Sequence, residues 1–297
     1  MIKGDWGSTH LRLLRIRRGE QDRLTGPGIA RLTSSPAETL AQVLSPWAES
    51  LSEGVLLCGM AGSQSSLHPT PYIACPADVG AWSRGLSSVP SSEYPTWIAA
   101  GLSCQNFADQ PDVMRGEEAQ IFGALELDPS LASGTHCLVL PGTHSKWAIV
   151  RDAEIIRFQT FLTGELFANL TTRSSLLIDR EENAGDGQDG FTCGLGEGGT
   201  NPLASLFSVR TAQLVGDRSR EWARGYLSGI LLAAEMAEAV RLTGLVDEIT
   251  LIGDEDLVTL YQAAAAQAGI RSRAMDGQAC VMAGLDRLAG FIERIPA

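Results

Sequence analysis

Apolar runs that stop at glycine alternate with stretches at helical spacing, and this alternation predicts an α/β protein. The chain opens on a short strand, bends through Gly4-Asp5-Trp6-Gly7-Ser8-Thr9-His10 and returns along Leu11 to Ile16, whose mixed apolar and basic positions fit a hairpin buried on one face. Ser35-Pro36-Ala37-Glu38 reads as a helix start ahead of the apolar face Leu40, Val43, Leu44 and Trp47. Val55-Leu56-Leu57-Cys58 predicts a buried strand feeding the glycine-rich loop Gly59 to Ser63, the place where open α/β sheets put ligands. Pro69, Pro71, Pro76, Pro90 and Pro95 mark a long irregular region suited to surface connections and a flap over a site. Asp112 to Glu118 reads as the opening of a helix with Ala119, Ile121, Phe122 and Leu125 inward. Glutamates in a first helical turn are stabilised by the helix dipole, which is a sufficient structural reason for Glu117 and Glu118.

Past Ser133-Gly134-Thr135 the design of the opening recurs. The strand His136 to Leu140 runs into Pro141-Gly142-Thr143-His144-Ser145-Lys146 and returns as Trp147 to Val150. Each half is headed by strand, hydroxyl-bearing glycine turn and strand, which places a domain boundary near Gly134. The expected lobes are 1–134 and 135–297, with the last helix, about 278–297, packing back on the first. Gln159 to Leu166 turns into a further helix. Asn183 to Gly199 is glycine- and acid-rich, and within it Gly185 to Gly190 reads as a plain mobile loop. Its calcium-like run Gly185 to Gly190 lacks the closing glutamate, and Gly194 to Gly199, although it spells a dinucleotide fingerprint, follows no apolar strand and runs into Pro202. Ser219 to Leu242 is a long helix with Trp222, Tyr226, Leu227, Ile230, Leu231 and Ala234 as core. Glu248 to Ile252 is another buried strand, broken by Gly253-Asp254, with helices from Leu257 to Ala268 and from Gln278 through Leu288 beyond it.

A chain of 297 residues, 44% hydrophobic, buries a large core and favours two domains. A net charge of -12 argues against nucleic acid or an anionic membrane as the main partner. Six cysteines without a Cys-x-x-Cys pair and four histidines without ligand spacing support neither a zinc ribbon nor a redox motif. A turn that begins within five residues of Met1 leaves no room for a secretory signal, and the longest apolar helical stretch, Leu227 to Ala234, is too short to span a bilayer. A reduced cytoplasm is the compartment expected from these features.

Two glycine turns with hydroxyls suit phosphates, which need positioning and charge neutralisation more than covalent chemistry. Asp5, beside the first turn, is the candidate ligand for Mg²⁺. Glu117 or Glu118, at a helix start, qualifies by type to take a proton from an attacking sugar hydroxyl. Ile252-Gly253-Asp254 allows a close backbone approach suited to adenine or ribose.

The order of these elements is that of the actin, sugar-kinase and heat-shock chaperone superfamily. The whole chain resembles the 2-dehydro-3-deoxygalactonokinase family through Met114-Arg115-Gly116-Glu117-Glu118, Leu140 to Trp147 and Thr163-Gly164-Glu165-Leu166. Gly59 to Ser63, Pro71-Tyr72, Cys75-Pro76-Ala77 and Leu227-Ser228-Gly229 extend the likeness over nearly its full length. The resemblance implies a two-lobed actin-like ATPase (ribonuclease H-like) fold with an active-site cleft between the lobes. It implies a kinase that phosphorylates the terminal 6-hydroxyl of 2-dehydro-3-deoxy-D-galactonate with ATP and Mg²⁺, in galactonate breakdown. Carried over by position, Asp5 holds the metal. Gly7, Ser8, Thr9, Arg12, Gly142, Thr143, Lys146, Gly253 and Asp254 serve the nucleotide. Trp6, Gly62, Ser63, Arg115, Gly164 and Glu165 face the sugar acid, and Glu117 is preferred to Glu118 as base. Gln64 and Leu67 depart from the arginine and tryptophan of the family's sugar loop. The partners implied are a small sugar acid and ATP, with no nucleic acid or membrane and with a homodimer allowed. The alternatives are a non-catalytic nucleotide-binding module on the same scaffold, a kinase for the gluconate epimer, and an NAD-dependent oxidoreductase through Gly194 to Gly199, the last disfavoured by the missing strand.

Overall fold

A computed structural model of the chain describes residues 1–17, 19–90, 92–178, 186–198, 202–244 and 247–292. The first part of the chain builds β1 (Ile2–Trp6), β2 (His10–Arg17), β3 (Glu20–Pro27), α1 (Pro36–Leu44), β4 (Val55–Gly59), β5 (Tyr72–Ala74), α2 (Val79–Ser83), β6 (Ser87–Ser88), β7 (Thr96–Ile98), β8 (Gly101–Gln105), β9 (Pro111–Met114) and α3 (Glu117–Leu127). Strands β3-β2-β1-β4-β7-β6 make one sheet in that order. β1 runs antiparallel to β2 and parallel to β4, and its alternate residues Ile2, Gly4 and Trp6 face the core, where Leu11, Leu13, Leu44, Trp47, Val55 and Leu57 meet them. Ser35 caps α1 reciprocally with Glu38, as its sequence promised.

The proline-dense region is more regular than expected. β5, β8 and β9 form a small separate sheet, so Asp112, Val113 and Met114 lie in a strand and the following helix begins only at Glu117. Their ladder partners, Leu102 to Cys104, belong to the preceding strand, so β8 and β9 form a hairpin closed through residues 106–110.

From Thr135 onward come β10 (Thr135–Leu140), β11 (Ser145–Arg151), β12 (Glu154–Phe161), α4 (Thr163–Arg173), α5 (Gly187–Glu197), α6 (Pro202–Leu206), α7 (Ser208–Val215), α8 (Arg220–Thr243), β13 (Glu248–Gly253), α9 (Glu255–Gln267), β14 (Arg271–Asp276) and α10 (Gly277–Ile292). The sheet here runs β12-β11-β10-β13-β14, with β10 and β13 parallel. The chain divides into two compact units: Met1–Thr135 with Ile149–Phe158 and Met275–Ala297, and His136–Ala148 with Gln159–Ala274. In the first unit Ala77 and Ile155 exchange backbone hydrogen bonds of 3.0 and 2.9 Å, and α10 crosses α3.

Residues 187–197 are helical, including most of the loop expected over Gly185 to Gly190. Residue 185 of that loop lies outside the described residues. Glycine disfavours a helix by about 1 kcal/mol per residue, and here tertiary contact offsets that cost. A Cβ on Gly194 would stand 2.2 Å from the Tyr226 carbonyl oxygen, and one on Gly229 would stand 2.2 Å from that of Phe191, so α5 and α8 touch backbone to backbone. Gly190, Gly194 and Gly198 thus serve the packing of α5 on α8. Trp222, Tyr226, Leu227 and Ile230 of α8 join Val209 in the core of this unit.

Gly194→Ala is expected to destabilise the chain by about 1–3 kcal/mol through overpacking. Gly196→Ala, whose Cβ would meet nothing within 4 Å, should be neutral or mildly stabilising. Thermal denaturation followed by circular dichroism checks the pair, and equal melting temperatures would contradict the helix crossing.

Candidate active site

In the first unit the end of β1 brings the expected acids together. Asp5 is paired in register with Arg12 on one side and Cys58 on the other. Gly59 follows at φ 76° and Gly116 sits at φ 110°, a region that favours glycine. A Cβ on Gly116 would lie 3.2 Å from the Gly59 Cα, and one on Gly59 would lie 2.9 Å from Asp5 Oδ1. Three segments far apart in sequence therefore meet at atomic contact. The Cys58 thiol at this junction is pushed well up by burial, then by the charges of Asp5 and Glu118, so it stays protonated and inert.

The first turn is braced from behind. Gly7 N–H donates to His10 O at 2.9 Å, closing the hairpin, while the carbonyls of Gly7, Ser8 and Thr9 accept from the amides of Ile29, Ala30 and Gly28 at 3.0–3.1 Å. With its carbonyls engaged, the turn has hydroxyls and N–H groups left for an anion. Trp6 does not share this role. Its indole is fully buried and its Nε1–H donates to Pro27 O at 3.0 Å, so it is core rather than a sugar contact.

Arg115-Gly116-Glu117-Glu118 forms a compact corner. Arg115 N–H donates to Glu117 Oε2 at 3.0 Å, and Gly116 N–H donates to both oxygens of Glu118, at 2.9 and 2.8 Å. The two glutamates part company in exposure, since Glu118 is fully buried and Glu117 only partly so. Burial, then repulsion from Glu117, pushes the Glu118 carboxyl up to about 8, against the Gly116 hydrogen bonds and the Arg115 charge. Glu118 therefore holds its proton near neutrality. The Arg115 guanidinium donates to Thr70 Oγ1, and to Thr70 O at 3.0 Å, over the Tyr72 ring 4.3 Å away. Gly62 and Ser63 belong to the loop beside it: a Cβ on Gly62 would stand 2.6 Å from Arg115 Nη1.

In the second unit, Gly142 lines a cavity of about 410 Å³ with Thr163, Gly164, Phe167, Phe191 and Tyr261, a volume suited to a small organic ligand. Gln188, Arg224 and Ser228 supply polar groups to its wall. These residues of α5 and α8 were missed. Leu227-Ser228-Gly229 and the glycine spacing of 190, 194 and 198 were the available signals. Gly164 and Glu165, expected on the sugar acid, lie against the second turn: Glu165 N–H donates to Thr143 O at 2.9 Å and its carboxylate pairs with the His144 ring. Lys146, expected on the nucleotide, is buried in β11 with its ammonium donating to His144 O at 3.1 Å, where it supports the turn from beneath. Gly253 lies against Pro141, and Asp254 occupies the N-cap position of α9, whose Leu257, Leu260 and Tyr261 reach the cavity. Behind the wall, buried Glu235 accepts from Ser145 Oγ and Trp147 Nε1, each at 2.8 Å, and from the Tyr261 hydroxyl at 2.9 Å. One carboxyl thus ties the second turn to α9.

Because the Glu118 pKa is raised from 4.5 to about 8 in the folded chain, its contribution to stability is complete at acid pH and lost as pH climbs through that interval. Glu118→Gln should remove this part of the pH dependence. Urea unfolding at pH 5 and pH 8.5 measures it, and an identical pH slope in both proteins would contradict the assignment.

No helix among the described residues is long and apolar enough to cross a membrane, and no group of three or more His, Cys, Asp or Glu among them is placed to hold a metal. A crystal structure from Sinorhizobium meliloti described as a 2-dehydro-3-deoxygalactonokinase protein superposes with TM-score 0.86 at 31% identity, covering 99% of both chains. The activator of 2-hydroxyisocaproyl-CoA dehydratase from Clostridium difficile shares the fold at TM-score 0.54 and 10% identity, covering 100% of this chain and 98% of its own, and the fold is that of the actin-like ATPases and sugar kinases. The 2-dehydro-3-deoxygalactonokinase of Escherichia coli strain K12 is 35% identical over 294 residues, 96% of each chain. With the 2-keto-3-deoxy-galactonokinase profile matching residues 5–288, the chain belongs to that family.

Proposed function

We propose that this chain transfers the γ-phosphoryl group of ATP to the terminal hydroxyl of 2-dehydro-3-deoxy-D-galactonate, as a cytoplasmic enzyme of sugar-acid breakdown. The observation that carries the reading is the contact of Gly59 with Gly116, which sets Asp5 beside the start of the helix bearing Glu117 and Glu118. The substrate hydroxyl oxygen forms a bond to the γ-phosphorus as the bond to the ADP oxygen breaks, and the hydroxyl proton passes to a carboxylate. Glu117 is the base, because Glu118 is sealed in the interior and keeps its own proton near neutrality. Within the first unit the hydroxyls and amides of Ser8 and Thr9, with Arg12, serve phosphate while Gly7 closes the turn, and Gly142-Thr143 form the phosphate turn of the second unit. Gly253, Asp254 and the cavity of the second unit take the nucleoside, with Phe167 and Phe191 offering apolar surface to the base. Gly62, Ser63 and Arg115 read the sugar acid.

Asp5 fits Mg²⁺, a partly exposed carboxyl beside the first turn, since this ion is held by one or two carboxylates together with water and substrate phosphates rather than by a protein cage. When bound, the ion neutralises charge on the phosphates.

Glu117→Gln should lower kcat by about 10²–10⁴-fold with the KM for ATP nearly unchanged, whereas Glu118→Gln should lower it much less. Coupled ADP detection with the galactonate and gluconate keto-deoxy acids measures both. Full turnover in Glu117→Gln would remove the base from that residue.

A further inference from the structure

Among the described residues, four side-chain polar atoms are enclosed without a hydrogen-bond partner: Ser63 Oγ, Ser66 Oγ, Arg115 Nε and Gln159 Oε1. The first three share one neighbourhood. Residues 61–70 fold on themselves through Ser66 N–H to Ser63 O at 3.2 Å, His68 N–H to Ala61 O at 3.3 Å and Thr70 N–H to Gly62 O at 3.0 Å. The Arg115 head is laid against this loop by Thr70 and by the bare Cα of Gly62.

All three orphans can donate: two hydroxyls and a guanidinium N–H. The guanidinium keeps its end-on pair of nitrogens on neutral oxygens of Thr70, which leaves Nε, on the side edge shared with Nη2, without a partner. An enclosed guanidinium N–H without a partner is costly, and the group that matches the Nε–Nη2 fork in both charge and shape is a carboxylate.

We propose that Arg115 Nε and Nη2, with the hydroxyls of Ser63 and Ser66, bind the C1 carboxylate of the sugar acid, an inference that rests on the function proposed above. Gln64-Ser65, the tip of the loop, is exposed, and its displacement is the route of entry that the proposal requires. Ser66 joins the substrate-reading residues, and the loop fixes the polarity of the substrate: the acid end is gripped at Arg115, and the far hydroxyl is presented for transfer. The resulting selectivity is for charge at C1 rather than for the sugar's hydroxyl pattern.

The test compares kcat/KM for the 2-keto-3-deoxy acid and for its neutral C1 amide in the wild type, Ser63→Ala and Ser66→Ala, with thermal melts confirming that the variants fold. The wild type should prefer the acid by about 100-fold or more, since unpaired buried donors reject an analogue strongly. Each serine variant should lose about tenfold on the acid and little on the amide, with the KM for ATP unmoved. Equal use of acid and amide by the wild type overturns the proposal without needing any variant to fold. So does a loss in Ser66→Ala shared equally by the two substrates, which marks a merely structural hydroxyl. A wild type that binds ATP and phosphorylates no keto-deoxy acid refutes the kinase reading itself, a result distinct from either of these.

Discussion

The site of the first unit depends on two glycines in contact. Gly59 ends a fully buried strand and Gly116 separates a short strand from a helix, both with positive φ. Any side chain at Gly59 would press on Asp5 Oδ1 and the Trp6 carbonyl, and any at Gly116 would press on the Gly59 backbone. Their bareness lets an acidic strand end and an acidic helix start share one small volume. The arrangement gathers like charges, and the molecule resolves the conflict by burying Glu118 and leaving it protonated while Glu117 stays partly in contact with solvent.

The same device, on a larger scale, builds the second unit. Glycines on α5 and α8 let two helices meet backbone to backbone, and the cavity wall is drawn from both. Glu235 adds a polar lock. Buried polar groups need partners, and this carboxyl finds them on β11 and α9, with the Thr163 hydroxyl also contributing. The positions of Thr163 and Tyr261 at the cavity, and of Ser145 after the second turn, are thereby coupled through one residue.

Much of this was legible from the chain. Both glycine turns stood out because an apolar strand running into glycine and hydroxyl residues is a local pattern, and α1 and α8 announced themselves by caps and helical spacing. The errors were of another kind. Helix α5 contradicts the propensity of its own glycines and exists through contacts with residues more than thirty positions later in the chain. The 112–114 strand is the second arm of a hairpin with Leu102 to Cys104, and the acid-rich run that follows it, read as a helix start, masks that arm. The place of Trp6 is legible in the sequence: the strand period of two sets it beside Ile2 and Gly4 on the inner face of β1. Lys146 and Glu165 have the right chemistry for a ligand, and only their partners, His144 O and the His144 ring, reveal that they hold the turn.

The most direct test of the glycine contact is Gly116→Ala, assayed for turnover of the keto-deoxy acid and, separately, for ATP binding by calorimetry. A displacement of the helix start by a fraction of an ångström should lower kcat by about 100-fold, with ATP affinity and the folded circular dichroism spectrum retained. Wild-type turnover in Gly116→Ala would contradict the claim that this contact assembles the acidic site.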